Sequence, residues 1–176
     1  MYFVERRVGR LIEARIWSLG SAAEVDAYAR DLAAAVTLTP RGVRPVLCAD
    51  HRPVVIYNQA VADRLAKLLS AMNHRLERAA LLVAPTNATF AMQLGRIVRE
   101  ANNPARRLFD DAFEAAVFLR GELDEPERAR LGLFLSGFEG DEGGEGPSTP
   151  RSARVPTGGA GPSSPRFARV AGGQGR

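Results

Sequence analysis

Between residues 44 and 119 the chain repeats one rhythm: a short apolar run, a turn, then an amphipathic stretch of helical period. Val46-Leu47-Cys48-Ala49 is near-continuously apolar, as expected of a strand covered on both faces. A connector from Asp50 to Pro53 and the triplet Val54-Val55-Ile56 lead into a helix predicted from about Asn58 to Met72. Val61, Leu65, Leu68, Leu69 and Met72 form its apolar stripe, with Asp63, Arg64 and Lys67 opposite. Ala79–Val83 reads as a second buried strand, broken by Pro85 and followed by a helix from about Asn87 to Ala101. Arg107-Leu108-Phe109 then forms a short strand, with Asp110 capping a helix over Asp111–Arg120.

The flanks complete the pattern. Tyr2–Val8 and Arg10–Ser18, separated by Gly9, read as a hairpin whose apolar positions are interleaved with Glu5, Arg7, Glu13 and Arg15. Ser21-Ala22-Ala23-Glu24 is a capping box that opens a helix to about Val36. Asp124-Glu125-Pro126-Glu127 starts a final helix with the apolar face Leu131, Phe134, Leu135 and Phe138. That face either seals the domain or forms a surface for a partner or a homodimer. The order ββαβαβαβαα predicts an α/β domain. Its mixed sheet has about five strands, an N-terminal hairpin then parallel strands, with helices packed on it.

After Phe138 the composition collapses to Gly, Pro, Ser, Arg and acidic residues, which predicts one domain over 1–138 and a disordered linker and tail over 139–176. The tail holds a duplication: PSTPRSARV at 147–155 recurs as PSSPRFARV at 162–170, identical at seven of nine positions. Paired short motifs on a flexible chain raise effective concentration at a two-site partner. This makes Arg151, Arg154, Arg166 and Arg169 candidate docking residues. Thr149 and Ser164, each before Pro-Arg, are candidate phosphorylation sites.

Charge narrows the function classes. The pI near 10 suggests nucleic acid, but residues 1–138 hold 19 basic and 16 acidic side chains, while residues 147–176 hold five arginines and no acid. Arg6, Arg7, Arg10 and Arg15 on the hairpin lack interleaved stacking aromatics and are expected to form a solvated face, so nucleic-acid binding is disfavoured. Lys67 is the sole lysine, a composition like that of a GC-rich bacterial genome. The opening Met1–Arg7 has no apolar run long enough for a signal peptide or a membrane span, so a cytoplasmic protein is expected. A lone cysteine and two scattered histidines supply no metal set, no nucleotide or nucleophile motif occurs, and neither a cofactor nor catalysis is expected.

The passage from Ala79–Val83 through a helix into Arg107-Leu108-Phe109-Asp110, then Phe113-Glu114-Ala115-Ala116-Val117-Phe118-Leu119, resembles the STAS superfamily of anti-sigma-factor antagonists over roughly residues 2–120. The resemblance implies a regulatory or adaptor protein that binds a protein partner, such as a bacterial regulatory or scaffold protein. It implies a contact surface at the loop and helix start after the third strand, where the family usually reads D-S-[ST]-G and carries a phosphorylated serine. This chain reads Ile56-Tyr57-Asn58-Gln59 there, so the serine switch is not expected. Tyr57 is either an exposed aromatic anchor or a residue packed at the helix start. Asp50, His51 and Arg52 sit at the carboxyl edge of a strand, where open α/β sheets bind ligands; they are either a solvated connector or a binding site. Asp50, His51, Arg52, Tyr57 and Asn58 are therefore the candidate partner-binding residues of the domain. A carrier of small ligands or lipids, with a pocket near Asp50–Tyr57, is the alternative.

Overall fold

A computed structural model describes residues 1–137. Phe138 and the tail sites Thr149, Arg151, Arg154, Ser164, Arg166 and Arg169 lie outside the described residues, as does the expected disorder of 139–176. The elements are β1 (Tyr2–Val8), β2 (Leu11–Ile16), α1 (Ala22–Thr37), β3 (Val46–Asp50), α2 (Gln59–Ala71), β4 (Arg78–Leu82), α3 (Ala88–Glu100), β5 (Arg106–Phe109), α4 (Ala112–Arg120) and α5 (Glu125–Ser136). The sheet runs in the order β1-β2-β3-β4-β5, antiparallel in the first pair and parallel from β2 onward. The expected mixed α/β architecture is the observed one.

Side-chain caps fix where helices begin. Ser21, Asn58, Asn87 and Asp124 each accept from a backbone N–H three residues on. The expected cap at Asp110 is corrected by one residue: the Asp111 carboxylate takes the N–H groups of Phe113 and Glu114. Gly9, at φ +52°, turns the hairpin in the left-handed region, and a Cβ there would collide with the side chain of Glu127.

Two cores flank the sheet. Ile12, Ala14, Ile16, Leu47, Ala49 and Leu81 face α1, α2 and α3 and pack with Leu32, Leu65, Phe90 and Leu94. Leu11, Val46, Cys48, Ala80 and Leu82 point the other way, against α4 and α5. Leu131, Phe134 and Leu135 are buried in this second core, so the described part of the α5 apolar face seals the domain itself.

The polar half of β2 is not a solvated face. Glu13 is fully buried beneath α5, where Arg130 grips both carboxylate oxygens at 2.6 and 2.5 Å. Arg15 lies over the Phe134 ring and pairs with Asp50. Arg10 reaches Glu122, and Arg7 pairs with Glu5. The solvated face expected of the hairpin arginines holds for Arg7, which stays exposed beside Glu5, but not for Arg15, which α5 covers.

Candidate functional site

Every parallel strand ends at the same edge of the sheet, and the loops from β3 to α2 and from β4 to α3 meet there. Asp50, the last residue of β3, is completely buried. Its Oδ1 accepts from Arg52 N and Nε at 3.0 and 2.9 Å, and its Oδ2 from Arg15 Nε and Arg52 Nη2 at 3.0 and 2.9 Å. Burial alone would raise the Asp50 pKa, but the hydrogen bonds and charge of Arg52, with the charge of Arg15, hold it below the usual carboxylate value. The same two arginines donate onward to carbonyls in the last turn of α5: Arg15 to Phe134 at 2.8 Å and Arg52 to Leu135 at 3.1 Å. Cations at that end complement the helix dipole. The cluster therefore anchors α5.

His51 turns into the opposite core and is 3% exposed. Its backbone N–H bonds Leu82 O at 2.9 Å, and its Nδ1 lies 2.9 Å from Tyr57 Oη. Tyr57 is equally buried and meets Phe90 edge-on, with ring centroids 5.2 Å apart. Burial lowers the His51 pKa from 6.5 to about 4, although the charge of Asp50 opposes the shift. Burial likewise pushes the Tyr57 phenol above its ordinary value. At neutral pH the pair is an uncharged internal contact.

These positions exclude the solvated connector and decide between the two readings of Tyr57 in favour of the packed one. Asp50, His51 and Arg52 are not a solvated connector, since Asp50 needs Arg15 from β2 and His51 needs Tyr57 from the far end of the loop. Tyr57 is not an exposed anchor, because its ring fills the space over Phe90. Asn58 remains exposed, but its Oδ1 caps α2 and its Nδ2 donates to Gly20 O at 2.9 Å.

The loop's outer surface belongs to two residues that sequence reasoning passed over: Val55, 76% exposed, and Ile56, 52% exposed. Their backbone is clamped from α3. Asn87 Nδ2 donates to the carbonyls of Val54 and Val55 at 3.2 and 2.9 Å. Gln93 makes a two-way bond with Tyr57, accepting from its N–H at 3.0 Å and donating to its carbonyl at 2.8 Å. The available signal was a β-branched triplet too close to the Asn58 cap to form a strand of its own.

The space below the loop is small. Between the sheet and α1–α3, a void bounded by Tyr28, Leu47, His51, Leu65 and Leu94 has a volume of about 10 Å³, room for about one water molecule. Among the described residues no group of three or more His, Cys, Asp or Glu is placed to hold a metal ion, and no helix is long and apolar enough to cross a membrane. In comparison with known proteins, the chain matches no family model and no curated protein.

Proposed function

We propose that this domain is a non-enzymatic, STAS-like regulatory or adaptor module that docks a protein partner at the β3–α2 loop. The observation that carries the reading is the pair Val55 and Ile56: two large apolar side chains held in solvent on a loop that Asn87 and Gln93 keep rigid. Loops that expose apolar residues are commonly mobile. A preorganised loop instead loses little conformational entropy on binding, so more of its buried area appears as affinity. The resemblance in strand order and in the β5–α4 passage supports the same surface. A 10 Å³ void gives no comparable support to the small-ligand carrier.

In this reading the protein acts in the cytoplasm of a bacterium, and the paired tail motifs around Arg151, Arg154, Arg166 and Arg169 add a second, bivalent contact. Affinity capture from the native cell with the full chain is the test, read by mass spectrometry against Ile56→Asp and an Arg151→Ala, Arg154→Ala, Arg166→Ala, Arg169→Ala variant. A partner retained by the parent and reduced at least tenfold by Ile56→Asp, at unchanged circular dichroism, supports the loop. Equal recovery by Ile56→Asp refutes it, and equal recovery by the tail variant refutes the tail contact.

A further inference from the structure

Among the described residues the sheet ends at β5, and no strand lies beyond it. Ala79 N donates to Ala105 O and Val83 N to Phe109 O, so Ala105, Arg107 and Phe109 turn their backbone groups toward β4. Arg106 and Leu108 turn theirs outward. The Arg106 N–H is used by Asn103 O, leaving the Arg106 carbonyl and both backbone groups of Leu108 on the open edge. Beside this edge runs a groove of about 560 Å³ between α3 and β5, floored by Gly95, Val98 and Leu108. Met92, 69% exposed, forms its rim.

The charge around the groove is of one sign. Arg99, Arg106 and Arg107 line it and no carboxylate does. Among the described residues none of the three has an ion-pair partner. Arg106 is 4% exposed, and its Nη1 and Nη2 bond Asn73 Oδ1 and Leu69 O, but its Nε has no acceptor. Arg107 borders the groove along β5, but its guanidinium lies on the opposite face, over the Phe118 ring. Charged side chains on a short edge strand suppress pairing between like copies. Here they would set Arg107 against the same arginines of a second molecule, while favouring a strand of opposite charge.

We propose that the β5 edge and the α3 groove form a docking site for an extended, acidic peptide segment of a partner protein, which adds to the sheet as a sixth strand. The segment's backbone would pair with Leu108 and with the Arg106 carbonyl. Its apolar side chains on one face would lie on Leu108, Gly95 and Met92, with carboxylates meeting Arg99 on that side and Arg107 on the other. This surface is separate from the β3–α2 loop and does not depend on the function proposed above.

The test uses the full chain and a fluorescein-labelled peptide, acetyl-Thr-Val-Glu-Val-Glu-Glu-Thr-amide, whose alternation puts one Glu on the valine face and two on the other, beside its Glu→Lys counterpart. Binding of the Glu peptide at least tenfold tighter than the Lys peptide is expected. Arg107→Glu, a surface change, should weaken it at least tenfold. Gly95→Gln should weaken it about fivefold by filling the groove; a Cβ at Gly95 meets only Arg99 Nη1 at 3.5 Å and Leu108 Cδ2 at 3.7 Å, so the fold tolerates it. The Leu108 amide should gain protection from hydrogen exchange when the peptide binds. Equal affinity for the two peptides, an unaffected Arg107→Glu, or no protection at Leu108 overturns the proposal. So does a Leu108 amide already protected in the free protein, since a second copy or another part of the chain then holds the edge.

Discussion

His51 is the residue whose ionisation the fold most constrains. The unfolded chain takes up a proton near pH 6.5, whereas the folded protein resists protonation until about pH 4. Stability from this site is therefore fully present above pH 6.5 and is lost as pH falls toward 4. The difference amounts to roughly 3 kcal/mol. Asp50, with its folded pKa lowered, adds a loss only below its ordinary value of 3.8. Urea unfolding at pH 7.5 and pH 4.5 should show the His51 loss, and His51→Gln should flatten it while keeping a polar partner for Tyr57. An unchanged pH slope in that variant would show that another group titrates. Asp50, His51 and Arg52 read as one polar cluster in sequence because they are adjacent. On an extended strand end, however, successive side chains go to opposite faces. Asp50 accordingly reaches Arg15 and α5, and His51 reaches Tyr57 and Phe90. Adjacency conveyed that something polar ends β3, and gave no sign that the cluster was split.

At the scale of elements, α5 is held to the sheet by charge as well as by its apolar face. Glu13 is fully buried, whereas the Arg130 side chain is 20% exposed, and the asymmetry predicts unequal mutants. Arg130→Met strands a carboxylate beneath the helix and should cost about 3 kcal/mol. Glu13→Leu lets Arg130 swing into water and should cost less than about 1 kcal/mol. The double variant should return to within about 1 kcal/mol of the parent, since an apolar pair can replace a buried ion pair without loss. A double-mutant cycle by chemical denaturation checks all three, and additive losses would reject the pairing argument. Alternation along β2 predicted a polar face correctly and its solvation wrongly. The decisive partner lies 117 residues away in the chain, a separation no local pattern spans. The helices and their starts were legible for the opposite reason: caps and apolar stripes act within four residues.

For the whole molecule, the sheet is closed on both faces, and Cys48 reports on the α4–α5 side. It is buried, and burial pushes its thiol pKa well above the ordinary value. A thiol reagent in native buffer should label Cys48 only through openings that lift α5 or unfold the chain. Arg130→Met should speed labelling at least tenfold under conditions where opening is rapid and reversible. Immediate labelling of the parent protein would mean that α5 does not seal this face. The amino-acid sequence by itself determined the order of elements, their approximate bounds, the mixed sheet and the apolar faces, because propensity, capping and periodicity are local properties of the chain. Tertiary structure alone decided which polar residues face solvent. Burial of Asp50, His51 and Tyr57, display of Val55 and Ile56, and the uncompensated arginines beside β5 all depend on which distant segment covers which face, and that is fixed only when the layers pack.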